Sequence, residues 1–176
     1  MLIKKFTRAV IFDRDNTIIN DRGYTHLPED LSWKRGIISL IKILNFSKIG
    51  VFVATNQGGI GLKKFSKNQL NHFHEIMKIE LSQFNAVINE ILFCPHHPNA
   101  ILKSQRHCKC RKPKTGMILQ ILKKYKLKNK NVLFVGDSIK DQLCAKKARI
   151  KFLKAPVTYN NNYLKLIYKN IYSNRF

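Results

Sequence analysis

"AVIFDRDNTI", residues 9–18, runs four apolar residues straight into two aspartates separated only by Arg14. Consecutive apolar residues with no polar alternation describe a strand covered on both faces, which is how the strands of a parallel sheet read. Acids are scarce in this chain, ten against thirty-three lysines and arginines. Two of them at one strand end therefore need a cause. A single aspartate there can serve as a helix cap; a pair asks for more, and the surrounding sequence supplies it.

Runs of the same kind recur at 48–56, 87–94, 131–137 and 150–155, the first occupying 8–13. Segments with apolar residues at three-and-four spacing lie between them, at 36–46, 66–84, 115–127 and 140–148, and Ser66 with Gln69 forms a capping box at the head of the second. This alternation predicts an α/β fold, a doubly wound Rossmann-like parallel sheet with helices on both faces. No linker rich in Gly, Ser or Pro divides the 176 residues, so one domain, 1–176, is expected, with 159–176 a terminal helix or a loose tail.

The formal charge of +23 would suit a polyanionic partner. The lysines are scattered among asparagine and isoleucine rather than gathered in one arm, which reads as a solvated basic surface with no nucleic-acid partner. The apolar run after the basic start is too short for a signal-peptide core, and no run approaches the ~18 residues of a membrane span. A soluble, cytoplasmic monomer with no membrane partner is expected. Cys94, Cys108, Cys110 and Cys144 then favour metal ligation or burial over disulfides.

Ligands of open parallel sheets sit beyond the carboxyl ends of the strands. Asp13 and Asp15 follow the first strand, Thr55 and Asn56 end the second, and Asp137 with Asp141 follows the fourth. Carboxylates brought together there resist joint ionisation. A hard divalent cation resolves the conflict, and magnesium, which keeps waters and accepts phosphate oxygens, suits an open crevice. After the third strand, "CPHHPNAILKSQRHCKCRKPKTG" (94–116) supplies Cys94, His96, Cys108 and Cys110, a set fit for a structural zinc in a loop spanning 94–112, with His97 and His107 as substitutes for His96. Cys144 reads as a small core residue. Arg111 and Lys112 follow the last ligand directly, so a pinned loop would aim them at a phosphate in the crevice.

The ordered set "DRDNT" (13–17), "ATN" (54–56), a lysine after the third strand and "VGDSIKD" (135–141) resembles the haloacid dehalogenase superfamily. Together with "DRDNTIINDRGYTH", "TNQGGIG", "CPHHP" and "CKCRKPKTGM" it looks like the D-glycero-D-manno-heptose 1,7-bisphosphate 7-phosphatases of lipopolysaccharide-core precursor synthesis, over residues 8–155. The resemblance implies a sugar bisphosphate substrate, Asp13 as nucleophile and Asp15 as general acid and base. It implies magnesium held by Asp13, Asp137 and the Asp15 carbonyl, and Thr55 and Lys112 against the phosphoryl group. Asp21, Arg22, Gly23, Tyr24, Asn56, Gln57, Gly58, Arg111 and Ser138 are carried over as substrate contacts. Asn16 replaces the usual glycine of the first motif, Gly58 stands where serine is common, and Ser138 where many members have lysine. Histidinol-phosphate phosphatase shares the motifs and the zinc loop. A polynucleotide 3′-phosphatase and a non-enzymatic zinc-stabilised nucleic-acid module are favoured by the charge; the first lacks a stacking series, and the second gains nothing from clustered carboxylates.

Overall fold

The apolar runs become five parallel strands, β1 (Ala9–Phe12), β2 (Gly50–Asn56), β3 (Glu90–Cys94), β4 (Val132–Gly136) and β5 (Lys151–Lys154), in the spatial order β3-β2-β1-β4-β5. The structure is a computed structural model and describes residues 5–173. Helices α1 (Ile37–Phe46), α2 (Lys67–Gln83), α3 (Gly116–Tyr125), α4 (Ile139–Lys147) and α5 (Asn161–Tyr172) connect and follow the strands. Among the described residues no helix is long and apolar enough to cross a membrane.

Side-chain alternation along the central strands builds two apolar layers. Val10 and Phe12 of β1 pack with Leu40 and Leu44 of α1, Phe73 and Met77 of α2 and Ile167 of α5. Ala9 and Ile11 face the other way, against Ile118 and Ile121 of α3 and Cys144 and Ala145 of α4. Every residue of β1 and β4 is buried, as their unbroken apolar runs require; β3 and β5 are edge strands and only partly covered. Cys144 is a core residue, its thiol donating to the Lys114 carbonyl at 3.2 Å.

The capping box expected at the head of α2 forms, and α4 carries a second, unexpected one. Ser66 and Gln69 exchange the two bonds of a capping box at the head of α2, and Ser138 with Asp141 does the same for α4. One boundary differs: β3 begins at Glu90, three residues after the expected start. Asn45 at the end of α1 takes both backbone groups of Val87, accepting its N–H at 2.7 Å and donating to its carbonyl at 3.1 Å, which removes that residue from the ladder. The C-terminal segment settles as a helix over 161–172, and residues 174–176 lie outside the described residues. Tyr159, just ahead of it, donates its hydroxyl to the Thr17 carbonyl at 3.0 Å and so ties this segment to the loop after β1.

Two polar side chains are buried in the packing between β1 and α2. Arg14 has no exposed surface, and its Nη1 donates to Nε2 of His74 at 3.2 Å. His74 falls on the buried stripe of α2 with Leu70, Phe73, Met77 and Leu81. Burial first, then the charges of Arg14 and Lys78, hold the imidazole down to about 3, so it is neutral and its Nε2 accepts. A folded-state value below the unfolded one of 6.5 means that the folded state binds fewer protons, so this contribution is full above pH 6.5 and is lost as pH falls toward 3. Between pH 7.5 and 5 the loss should be on the order of 2 kcal/mol. In urea titrations at those two pH values, His74→Leu is expected to be less stable at pH 7.5 yet to lose distinctly less on acidification; an acid slope equal to that of wild type would place the titration elsewhere.

Candidate active site

Asp13 leaves β1 at its carboxyl end, where its N–H donates to the Val135 carbonyl of β4 at 2.8 Å and so turns the side chain into the crevice. Its Oδ1 accepts from the Arg14 N–H at 2.7 Å and meets Nζ of Lys112 at 2.7 Å. The same ammonium lies 2.7 Å from Oδ1 of Asp141, and both Lys112 and Asp141 are almost completely buried. Oxygens of Asp13, Asp137 and Asp141 all fall within 4.8 Å of one another, with Asp137 exposed at the rim. Three carboxylates thus face one ammonium.

The electrostatics follow from that count. Burial is the main cause that pushes the Asp13 carboxyl up to about 7; Lys112 opposes it, and Asp141 and Asp15 add to it. Burial also works against the charge of Lys112, but Asp13 and Asp141 outweigh it and hold the ammonium above its ordinary value. Asp141 is already committed, its Oδ2 accepting from the Ser138 hydroxyl at 2.6 Å and the Ser138 N–H at 3.1 Å. Asp13 and Asp137 are left to face a cation, and an all-oxygen, acid-rich set short of positive charge fits magnesium.

Asp15 forms the opposite wall. Oδ1 takes Nε and Nη2 of Arg14 at 2.9 and 2.8 Å, while Oδ2 accepts from Gln57 Nε2 at 2.7 Å and more weakly from Thr55 Oγ1 at 3.4 Å. Gln57 is buried and also donates to Thr55 Oγ1 at 2.9 Å, so its amide braces Asp15 and Thr55. Asn56 likewise turns to the protein. Its Oδ1 accepts the Lys112 N–H at 2.9 Å and its Nδ2 donates to the Lys112 carbonyl at 3.1 Å, fixing the backbone that carries the ammonium. Ser138 caps α4. For these three side chains the bonds formed are to neighbouring protein groups.

A cavity of 250 Å³ opens between this wall and the loop after β1, lined by Asp15, Asp21, Tyr24, Gln57, Gly58 and Arg111 among others. Asp21 shapes the loop, its Oδ1 accepting from the Gly23 N–H and the Thr25 hydroxyl at 3.0 and 2.9 Å. Asn16, in place of a glycine, sits at φ 53° in the left-handed region that asparagine tolerates, and its Oδ1 accepts the Asp21 N–H at 3.2 Å. Arg22 is outside the cavity lining, with its guanidinium exposed and 3.7 Å from Asp30. Gly58 has a steric reason: a Cβ there would stand 2.9 Å from Nη1 of Arg111.

The cysteine loop closes over this cavity. Ligand atoms of Cys94, His96, Cys108 and Cys110 all lie within 4.8 Å of one another, and the cysteines are free thiols. A tetrahedral zinc with Zn–S near 2.3 Å and Zn–N near 2.0 Å has S···S edges of about 3.7 Å and S···N edges of about 3.5 Å. Cys94 Sγ lies 3.7 Å from Cys108 Sγ and 3.6 Å from His96 Nδ1, while Cys110 Sγ stands closer, 3.0 Å from Cys94 Sγ and 3.3 Å from His96 Nδ1, and would move outward by less than about 1 Å around an ion. The set fits a closed zinc site, and it selects His96 over His97 and His107. Arg111 is fixed from this knot, its N–H donating to Cys108 Sγ at 3.3 Å and its Nη1 to the His96 carbonyl at 2.9 Å.

The structure therefore brings Asp13, Asp15, Thr55 and Lys112 into one crevice, with Arg111 across it. Arg14 and His74 carried no role in the sequence. The one available signal was position: His74 shares the apolar stripe of α2, and Arg14 stands between two residues that must face the crevice. The chain matches the family model described as "Polynucleotide kinase 3 phosphatase" over residues 8–163. It is 34% identical over 145 residues to the D-glycero-beta-D-manno-heptose-1,7-bisphosphate 7-phosphatase of Haemophilus ducreyi, covering 82% of this chain and 80% of that one. The protein of the same name from Rhodopseudomonas palustris is 36% identical over 143 residues, covering 81% and 79%. The crystal structure of D,D-heptose 1.7-bisphosphate phosphatase from B. bronchiseptica, complexed with magnesium and phosphate, aligns with a TM-score of 0.76 at 29% identity over 92% of this chain and 87% of that one. With its acid pair, buried lysine and cysteine knot in these positions, the chain belongs to the D-glycero-D-manno-heptose 1,7-bisphosphate 7-phosphatase family of the haloacid dehalogenase superfamily and is a phosphoric monoester hydrolase.

Proposed function

We propose that this chain is a cytoplasmic, monomeric enzyme that removes the 7-phosphate of D-glycero-D-manno-heptose 1,7-bisphosphate during lipopolysaccharide-core precursor synthesis. The observation that carries the reading is Arg111, pinned by the cysteine loop on the far side of the cavity that Asp15 lines. It offers a guanidinium beyond what the reacting phosphate needs. A bisphosphate supplies the second anion, and the names of the similar proteins agree with that substrate.

In the first step an Asp13 carboxylate oxygen attacks phosphorus, the bond from phosphorus to the sugar oxygen breaks, and Asp15 gives its proton to that oxygen. Water then attacks the phosphoryl-Asp13, Asp15 takes a proton from it, and phosphate leaves with Asp13 restored. Lys112 neutralises Asp13 and the incoming phosphoryl oxygens throughout, and Thr55 stands beside them. Asp13 and Asp137, with the Asp15 carbonyl, would hold magnesium, which supplies positive charge against the phosphoryl oxygens. Cys94, His96, Cys108 and Cys110 would hold a structural zinc, whose part is to keep Arg111 and Lys112 aimed.

Asp13→Asn is expected to abolish turnover, and Asp15→Asn to permit slow phosphorylation of Asp13 with blocked hydrolysis. Trapping by beryllium fluoride should succeed in wild type and fail in Asp13→Asn; an Asp13→Asn protein with more than a small fraction of wild-type rate contradicts the covalent route.

Purified protein should carry about one tightly held zinc per chain, distinct from exchangeable magnesium. Cys108→Ser should lose it and lower activity by displacing Arg111 and Lys112. Elemental analysis decides this, and zinc-free protein that is folded and fully active would remove the site.

Two rivals are met by one substrate panel. Histidinol phosphate carries a distal cation that Arg111 should repel, while a 3′-phosphorylated oligonucleotide is favoured by the family model and by the charge of +23. Phosphate release at fixed ionic strength should be most efficient from heptose bisphosphate. Arg111→Ala should cut its specificity constant about ten- to a hundredfold, with a smaller effect on a sugar monophosphate. Equal losses on both would move Arg111 to the reacting phosphate, and a wild-type preference for either rival would transfer the function to it.

A further inference from the structure

We infer that Arg14 and His74 are positioning residues for Asp15, forming a buried brace from α2 that fixes which carboxylate oxygen carries the catalytic proton. The inference rests on the reading of Asp15 as acid and base and adds to it the residues that set its geometry.

Arg14 is the bulkiest fully buried side chain among the described residues. A guanidinium without water must have its donors matched, because it cannot lose its proton. Its Nη2 donates to the Thr25 carbonyl at 2.7 Å, its Nη1 to His74 Nε2 at 3.2 Å, and its carbon lies 5.1 Å from the centre of the Phe73 ring. Those partners belong to α2 and to the loop after β1, so the fork is held from two separate segments before it reaches Asp15. Nε and Nη2 then converge on the single oxygen Oδ1, at 2.9 and 2.8 Å.

That convergence divides the labour of the carboxyl group. Oδ1 is taken up by both donors of the fork. Oδ2 accepts from Gln57 Nε2 at 2.7 Å and more weakly from the Thr55 hydroxyl at 3.4 Å, and when Asp15 is protonated that hydroxyl, free to rotate, yields the second direction to the Asp15 O–H. Oδ2 is then the atom that gives a proton to the departing sugar oxygen as its bond to phosphorus breaks, and that takes one from water as the bond from Asp13 to phosphorus breaks. Asp15 is partly exposed, with a side-chain accessibility of 24%; without the brace it would sample other rotamers and present Oδ2 only part of the time. The neutral state of His74, held down to about 3 by burial and by Arg14 and Lys78, keeps its Nε2 available as the acceptor.

The test uses the leaving group. A sugar alkoxide needs protonation as it departs, whereas 4-nitrophenolate leaves without it. The zinc- and magnesium-loaded enzyme is mixed with heptose bisphosphate or with 4-nitrophenyl phosphate, as wild type, His74→Leu, His74→Gln and Asp15→Asn, and the rate at which sugar or 4-nitrophenolate is released in the first turnover is read, because the later hydrolysis of phosphoryl-Asp13 is common to both substrates. His74→Leu should lose at least tenfold more of that first-turnover rate on the sugar substrate than on the aryl phosphate, with the half-saturating substrate concentration nearly unchanged. His74→Gln, whose amide oxygen can accept from Arg14, should recover most of the difference. Equal losses on the two substrates, or no loss on either, overturn the inference. Should His74→Leu not fold, Arg14→Lys, which keeps the charge and loses the fork, is held to the same comparison. If Asp15→Asn separates the two substrates and neither brace variant does, the brace is wrong and Asp15 stands. If Asp15→Asn fails to separate them, the acid assignment itself falls and the brace with it.

Discussion

The arrangement turns on three carboxylates gathered around one buried ammonium at the carboxyl end of the sheet. Lys112 touches Asp13 and Asp141 at 2.7 Å each, and Asp137 completes the group. Bringing acids together away from water is unfavourable unless charge of the opposite sign accompanies them. The ammonium supplies part of it; Asp13 is still left well above the ordinary carboxylate range, by burial first and then by the charges of Asp141 and Asp15. A site that lacks positive charge when empty is prepared for a metal ion at its rim. The cost of assembling it is carried by the fold, through β1 and β4, whose continuous apolar faces hold Asp13 and Asp137 at adjacent strand ends.

Much of the remaining structure serves to keep Lys112 and its neighbours in place. Asn56 grips the Lys112 backbone from both sides, and the cysteine loop delivers Arg111 and Lys112 from 94–112 to the crevice. The loop approaches so closely that a Cβ on Gly58 would stand 2.9 Å from both Arg111 Nη1 and His97 Cδ2, and those side chains would have to shift to admit it. On the other wall, Arg14 and Gln57 orient Asp15. Polar residues at this end of the sheet therefore act largely on one another, while Asp15, Gln57 and Arg111 also line the cavity with Asp21, Tyr24 and Gly58.

The strands, helices and their alternation were legible in the sequence because they depend on local periodicity and caps. Asp13, Asp15, Asp137 and the Cys94, His96, Cys108, Cys110 set were legible because residue type and spacing carry their chemistry. What a motif does not convey is which partner a polar side chain chooses. Asn56, Gln57 and Ser138 read as substrate contacts, yet each bonds to a protein group whose proximity arises only in three dimensions. The bond between Arg14 and His74 spans 60 residues, so no local pattern announces it. The late start of β3 has the same origin, since Asn45 captures Val87 across 42 residues.

Whether the acidic group is one divalent cation short of balance can be read from thermal denaturation in increasing magnesium chloride with ionic strength held constant by sodium chloride. Preferential binding to the folded state should raise the midpoint of the wild-type protein progressively, and Asp137→Asn, which keeps Lys112 and Asp13 but removes the rim carboxylate, should lose most of that rise. A wild-type midpoint that magnesium leaves unmoved, or a rise of equal size in Asp137→Asn, would contradict the account.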